Sequence, residues 1–487
     1  MLVLDPLLDR IRPLLADHDR PVYLVGGAVR DALLGRASHD LDLIVPHGAI
    51  ALTFELARRL DLPAYRLDDE RDVGRLLVPG SETTVDIARY RGETLADDLR
   101  ARDFTINALA LPLAARTAGA IIDDHGGRAD LAAGWLRVIH EHSIDDDPVR
   151  ALRAIRLAAQ LDLRLTDETS AAVRAAGPSL SARASAERVR DELGRLLSTG
   201  APYDIIGALD HHALLGYVLP EVAALSGVAQ SPPHHENVLA HTYSVMDRLL
   251  AVVDIIAERP VVAAWAGAVD AILSPHRRAL AAHLAATVDG GYSGQMLLRW
   301  GALLHDTGKP ATQTIDETGR IRFIGHDETG ADIAAKLLNR LKFSGEAVRR
   351  VRAIVAGHMR PLYLATEGRP PSRRSAYRYY RALHEAGVDV VLLSLADHLA
   401  TYDGAGPDES WPALLVVAET LLDAYFTGYT ETVRPARLLN GQEVMALLAI
   451  GPGKELGRLL AELEEAQAAG EVVSRGEAVA FIRARAG

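Results

Sequence analysis

Cysteine is absent from the 487 residues, which excludes disulfides and thiolate metal sites and makes a reducing compartment, the cytoplasm, the expectation. Aromatic residues are scarce at 5%, and no apolar run reaches membrane-spanning length free of charge. The opening stretch MLVLDPLLDRIRPLLADHDR scatters acids and arginines among its apolar residues, so it reads as neither a secretory leader nor a membrane span. Tandem repeats and low-complexity tracts are lacking too. So is positive charge: the balance is −12 at pH 7, against the basic character of a general nucleic-acid binder. An acidic remainder is still compatible with a local positive surface, because it suppresses loose attachment to the wrong polyanion. What is present is a globular composition, 49% hydrophobic and 24% charged, in a chain long enough for roughly two to four domains.

The strongest pattern lies in Val22 to Val45, VYLVGGAVRDALLGRASHDLDLIV. Val22 to Val25 has strand length and composition; Gly26 and Gly27 break it, and Ala28 to Leu34 suits the opening turns of a helix. After a polar turn, Asp40-Leu41-Asp42 leads into Leu43, Ile44 and Val45. Residues two apart on a strand share a face, so Asp40 and Asp42 lie side by side while Leu41 turns to the core. Two adjacent carboxylates repel unless a cation sits between them, and Mg²⁺ takes oxygen ligands while leaving room for phosphates. The glycine pair lets backbone N–H groups approach a triphosphate at a helix start. Gly-Gly alone is usually a turn, and Asp-x-Asp alone a solvated strand edge. Their conjunction within 24 residues points to metal-dependent nucleotidyl transfer.

GGAVRD with DLD resembles the active-site motif of the polymerase-β-like nucleotidyltransferases, in the version of bacterial CCA-adding enzymes and poly(A) polymerases (class II). The pattern of short apolar runs and helical segments up to about His140, then almost wholly helical sequence, agrees. The resemblance implies an α/β head with a mixed sheet over residues 1–142. An all-α neck (143–230), an HD-type domain (231–430) and a helical tail (431–487) follow. It also implies that Gly26, Gly27 and Arg30 bind nucleotide. Asp86, in the apolar run Thr83 to Ala88, is costly there unless paired or metal-bound. It reads either as a solvated strand end or as the third carboxylate that, with Asp40 and Asp42, holds two Mg²⁺ ions for in-line displacement.

Further head motifs are similar to the same family. Arg102-Asp103-Phe104-Thr105-Ile106-Asn107-Ala108 resembles the ribose-selecting RRDFTINA segment, with Ala101 where the family has its first arginine. Arg102, Asp103 and Asn107 are implied as nucleotide contacts, while Phe104 and Ile106 pack inward. Asp146-Asp147-Pro148-Val149-Arg150 resembles the EDxxR segment that reads the incoming base, with Asp146 in place of the usual glutamate. Asp147 and Arg150, three apart on one helix face, can match the amino-beside-acceptor edge shared by C and A; Arg153 joins them by resemblance. The competing reading is a helix whose first turn carries Asp147. Asp123 to Leu131 resembles a DPxGGxxDL segment with a structural job. The family's flexible loop between the third carboxylate and the ribose motif is largely missing: Asp86 to Glu93 runs directly into Thr94 to Leu99. By resemblance, that deletion goes with enzymes that add only the two cytidines.

In the second half, His241, His305-Asp306 in LLHDTGKP, and Asp397 in LADHLAT have the order and helical setting of the HD phosphohydrolase superfamily. His326 and His358 supply two histidines that some members also carry. Imidazole plus carboxylate suits a transition metal better than Mg²⁺, and Lys309 can offset charge developing on a phosphoester. Arg360 to Arg381 interleaves arginines with Tyr363, Tyr377, Tyr379 and Tyr380, which reads either as an RNA grip or as a solvated helix with its tyrosines in the core. Gly451-Pro452-Gly453-Lys454 resembles a tail segment that touches the tRNA elbow or closes the fold. The expected function is CMP addition to tRNA 3′ ends, with CTP as substrate and a separate A-adding enzyme as partner. Alternatives are full CCA addition using CTP and ATP, poly(A) synthesis, or a metal-dependent RNA phosphohydrolase with a non-catalytic head. A purely RNA-binding module is disfavoured by two sets of metal ligands. No membrane partner is expected.

Overall fold

Two glycines in a row end the first strand of the head and start the helix that follows it. In the computed structural model, which describes residues 2–16, 18–81, 83–199, 202–288, 291–402 and 410–486, β1 is Tyr23–Val25 and α1 is Gly27–Leu33. Gly26 between them has φ 71°, a left-handed value that side chains resist. Then come β2 (Asp40–Val45), α2 (Ala49–Leu60), β3 (Ala64–Asp68), β4 (Val73–Leu77), β5 (Thr84–Arg89) and β6 (Ala110–Pro112). Among the described residues these form a six-stranded mixed sheet in the order β3-β4-β5-β2-β1-β6. β2 and β5 run parallel, and the other neighbours are antiparallel.

The period of two sorts β2 and β5 cleanly. Leu41, Leu43 and Val45, with Val85 and Ile87, point into one core against Leu52, Leu56 and Leu60 of α2. Burying each such side chain is worth about 1.5–3 kcal/mol, so the register is firmly held. Asp40, Asp42 and Ile44 lie on the opposite face. There Ile44 joins Val25, Tyr90, Leu99 and Ala110 in a second small cluster, while the acids at the strand's start stay open to solvent. Asp72 secures α2 from outside, its two carboxylate oxygens accepting from Ala49 N (2.9 Å) and Ile50 N (2.8 Å). β3, which the sequence pattern does not reveal, is an exposed edge strand with no buried face to impose a period.

The connection Tyr90 to Thr94 is short and tied down. Thr94 and Asp97 form a reciprocal capping box on α3 (Leu95–Arg100), and Asp98 accepts from Arg91 N at 3.0 Å. The segment after it is a 3₁₀ turn, Thr105–Asn107, with Phe104 and Ile106 fully buried as expected. α4 (Gly127–Ala133) braces that turn: Asp123 caps the helix at Gly127 N (2.7 Å), and Asp130 accepts from Thr105 Oγ1 (2.7 Å). A Cβ on Gly127 would lie 2.1 Å from the Thr105 carbonyl oxygen, so this contact needs glycine. α5 is Arg150–Leu161.

The chain divides into two compact units, one comprising 1–184 with 212–214 and the other 185–211 with 215–487. The second is helical apart from two-stranded ribbons at Thr287–Val288 with Tyr292–Ser293 and Thr314–Ile315 with Ile321–Arg322. Its principal helices are α6 (Val238–Ile256), α7 (Gly294–Leu304), α8 (His326–Arg340), α9 (Gly345–Gly357), α10 (Arg373–Leu383) and α11 (Ala386–Thr401). All sixteen residues of α11 are buried, so it is the helix the others pack around. The tail builds its own core from Leu439, Val444, Leu459, Leu463 and Ile482. No helix among the described residues is long and apolar enough to cross a membrane.

The RNA-grip reading of Arg360 to Arg381 does not survive for α10. Tyr377, Tyr379 and Tyr380 are buried, with the Tyr379 and Tyr380 hydroxyls donating to Gly387 O (2.7 Å) and Leu421 O (2.8 Å). Arg374 and Arg378 pair with Glu465, at 3.3 and 2.6 Å. Core packing wins because each of the three buries a large ring, and Tyr379 and Tyr380 still satisfy their hydroxyls.

Candidate functional site

The head brings Asp40, Asp42 and Asp86 to one face of the sheet. Asp42 stands directly across from Asp86 in the parallel β2–β5 register, and Asp40 across from Thr84, whose hydroxyl donates to Asp40 Oδ1 at 3.1 Å. Asp42 still meets solvent at its surface but is closely surrounded by protein: that desolvation first, and then the charges of Asp86 and Asp40, push its carboxyl up to about 6 against the pull of Arg102. A carboxylate destabilised by its neighbours is a group that gains from a divalent cation, so the all-oxygen donor set fits Mg²⁺. The third member is partnered in a way the sequence did not show. Arg75 on β4, across from Asp86, donates from Nε to Oδ1 (2.6 Å) and from Nη2 to Oδ2 (2.7 Å).

Gly26 faces the acids. A Cβ there would lie 2.8 Å from Arg102 Nη1 and 3.6 Å from Asp42 Oδ2, so only glycine leaves this wall open. The Gly26 N–H, expected to face a phosphate, instead donates to Leu109 O at 3.1 Å, which leaves the opening rather than that amide as its contribution. Arg30 donates to Asn107 Oδ1 (2.6 Å), and Asn107 donates to Asp103 Oδ1 (3.0 Å). Asp103 also takes Arg153 on its other oxygen at 3.1 Å. Burial acts to raise the Asp103 carboxyl, but Arg153 and Asn107 prevail and hold it below its ordinary value. Arg102 is held by Asp98, accepting from Nε at 3.1 Å and Nη2 at 3.0 Å.

The base-reading expectation needs correction in its geometry. Asp147 is not on the helix: it is extended at φ −147°, ψ 94°, because Pro148 follows and disfavours the helical conformation before it. The reading of Asp147 as a first-turn helix acid fails for the same reason, and Arg150 is the first residue of α5. The two still approach, with Arg150 Nε 3.8 Å from Asp147 Oδ2. Arg150 spends Nη1 on the carbonyls of Arg102 (3.2 Å) and Ser143 (3.0 Å) and Nη2 on that of Ala101 (2.9 Å), which ties the ribose turn to α5.

In the second unit all six ligand candidates converge. His241 lies on α6, His305 and Asp306 directly after α7, His326 at the start of α8, His358 directly after α9, and Asp397 within α11. Among the described residues, two groups have ligand atoms within 4.8 Å of one another: His241, His305, Asp306 and Asp306, His326, His358. Asp306 is common to both, so its carboxylate is placed to bridge. His305, His326 and His358 each donate Nδ1–H to the carbonyl three residues back, at 2.7, 2.8 and 2.7 Å. That bond fixes the tautomer and aims each Nε2 lone pair inward. Two of these, His326 Nε2 and His358 Nε2, face each other at 3.1 Å. Opposed lone pairs this close need a cation or a proton between them. Burial and then the neighbouring His305 push His358 down to about 4, keeping it in the neutral, ligating form.

Asp397 accepts from or shares a proton with His241 Nε2 at 3.0 Å, and Lys309 Nζ lies 2.7 Å from Asp306 Oδ2 and donates to Gln230 at 2.6 Å. The Lys309 contact is an ion pair without hydrogen-bond alignment; Asp306 Oδ2 and His305 Nε2, buried 3.2 Å apart, make no aligned hydrogen bond, and a nitrogen and a carboxylate oxygen so placed fit a metal ion. Sequence reasoning overlooked His234, whose ring packs edge-on against His241 at 4.8 Å and whose imidazole is pushed down to about 3, chiefly by burial. The only signal was its place in the His-rich run SPPHHENVLAH.

Known proteins match the chain along most of its length. Residues 22–137 match the poly A polymerase head domain, 162–225 the probable RNA and SrmB- binding site of polymerase A, and 279–402 the HD domain. The chain is 35% identical over 479 residues to the A-adding tRNA nucleotidyltransferase of Deinococcus radiodurans, covering 97% of this chain and 98% of that one. It is 36% identical over 480 residues to the CC-adding tRNA nucleotidyltransferase of Thermus thermophilus, covering 96% of each. A solved structure of a CCA-adding enzyme, apo form I, has the same fold: TM-score 0.61 at 20% identity, over 98% of this chain and 93% of the other.

Proposed function

Because this chain belongs to the tRNA nucleotidyltransferase family, we propose that it adds CMP from CTP to the 3′ end of tRNA, leaving the terminal adenosine to a separate enzyme. The observation that carries the CC reading is the short connection between the third carboxylate and the ribose turn, fastened by the Thr94–Asp97 box and the Asp98–Arg91 bond. Asp40, Asp42 and Asp86 would hold magnesium, which when bound supplies Lewis-acid activation of the 3′-hydroxyl and neutralisation of the triphosphate. The chain's own residues do the rest. Gly26 keeps the wall beside Asp42 open, and the Arg30–Asn107–Asp103–Arg153 chain of contacts presents a rigid polar surface for the ribose. Asp147, extended ahead of α5, faces the base, with Arg150 as its neighbour. As an activity on tRNA, the addition is placed in the cytoplasm.

The A-adding relative is as similar as the CC-adding one, so AMP addition to tRNA already ending in CC is the second reading. One assay separates them. tRNA lacking CCA is incubated with Mg²⁺ and one nucleotide at a time, and tRNA ending in CC is tested in parallel. CMP incorporation alone supports C addition, AMP on the CC-ended substrate alone supports A addition, both in sequence support full CCA addition, and a long A-tail supports polyadenylation.

We further infer that the histidine cluster binds a transition metal and hydrolyses 2′,3′-cyclic or 2′-phosphates at RNA ends, with Lys309 offsetting charge. The converging Nε2 atoms and the bridging position of Asp306 support this. His305→Ala should remove hydrolysis of a 2′,3′-cyclic nucleotide while leaving nucleotide addition in place, and loss of both would sink the separation of the two activities.

A further inference from the structure

We propose that Arg75 is the internal counter-ion of Asp86, occupying that carboxylate until magnesium arrives and so setting the head's affinity for the ion. The inference rests on the reading of Asp40, Asp42 and Asp86 as metal ligands. It starts from a row of side chains laid across four strands. In register, Asp42 on β2 neighbours Asp86 on β5, Asp86 neighbours Arg75 on β4, and Arg75 neighbours Tyr65 on β3. Directly paired residues of adjacent strands project to the same side of a sheet, so the guanidinium belongs to the face that carries the acids.

The contact is side-on: Nε and Nη2 each take a different oxygen of Asp86, at 2.6 and 2.7 Å. Both oxygens are therefore engaged before any metal binds. The geometry of the trio agrees. Asp40, Asp42 and Asp86 are not among the groups of the described residues whose ligand atoms come within 4.8 Å of one another, whereas both histidine groups are. Asp86 spends both oxygens on Arg75, its neighbour in the row. Guanidinium does not lose its proton in a protein, so Asp86 can be released only by displacement. Displacement is feasible because the pair is partly open, with side-chain exposures of 31% for Arg75 and 22% for Asp86, and such pairs are worth little in water. Tyr65, paired with Arg75 in the β3–β4 register, leaves the guanidinium a polar neighbour when Asp86 leaves.

The test reads metal binding directly, by electron paramagnetic resonance titration of Mn²⁺ into the full chain. Every variant is made in a His305→Ala/Asp306→Asn background, so that the histidine cluster does not contribute. Arg75→Met should tighten Mn²⁺ binding by roughly three- to tenfold, the range for losing a partly exposed bidentate competitor. Arg75→Lys, which keeps the charge but not the fork, should fall between, and it guards against a folding defect in the Met variant. Asp86→Asn should weaken binding, and adding Arg75→Met to it should bring no further gain. If Asp86→Asn weakens binding but Arg75→Met leaves it unchanged or weaker, Arg75 is not a competitor and the inference falls alone. If Asp40→Ala and Asp86→Asn both leave Mn²⁺ binding unaltered, the metal reading of the head falls with it.

Discussion

Gly26 carries two constraints at once, a left-handed φ of 71° and a wall position where an added Cβ would lie 2.8 Å from Arg102 Nη1. Gly26→Ala should therefore cost about 1–2 kcal/mol of stability from backbone strain alone and also crowd the nucleotide. Equilibrium CTP binding should weaken by more than the melting temperature shift explains, and equal losses would make Gly26 merely structural. Asp103 offers a pH test with a definite sign. Its folded-state value is depressed by Arg153 and Asn107 in spite of burial, so its stabilisation is complete above the unfolded value of about 4 and is lost as pH falls through the lower folded one. Asp103→Asn should flatten the acid limb of a Tm-against-pH profile below about pH 4. An unchanged acid limb would mean that the pairing contributes nothing.

Among the elements, the fastened connection before α3 is the one on which specificity is argued. Removing its box with Thr94→Ala should cost about 1 kcal/mol, the usual worth of a helix N-cap. Amide exchange over residues 90–98 should accelerate, while exchange in β2 and β5 stays slow. Uniform acceleration across the head would instead mean that the box supports the whole fold. The strand–glycine–helix–acid sequence of β1, α1 and β2 was legible in the chain because each step has a strong local signal: an apolar run, a glycine pair, an alternating strand. Arg75 and Asp98 were not, since their partners depend on which strands and turns meet, and local sequence carries no record of register. β3 was missed because an edge strand buries nothing. Asp147 was misjudged although Pro148 beside it gave the warning.

At the scale of the whole chain, two sets of donors occupy two different compact units: carboxylate oxygens in the first, imidazole nitrogens around a shared carboxylate in the second. The six residues of the histidine cluster were legible as a set from their order in the sequence, and they converge from five separate helices or helix ends. What order could not give was the tautomer, which comes from backbone carbonyls three residues back. Removal of bound transition metal should lower the melting transition of the second unit, by about 2.7 kcal/mol if the ion had been present at a hundred times its dissociation constant. Differential scanning calorimetry should show that transition moving while the head's stays in place, and a common shift would contradict it. Because nitrogen-rich and oxygen-only pockets prefer different cations, a soft aromatic diimine such as phenanthroline should silence one end of the molecule and spare the other. On the proposed function, such a chain would sort a mixed supply of ions without any gate, and scarcity of one kind would starve one chemistry alone.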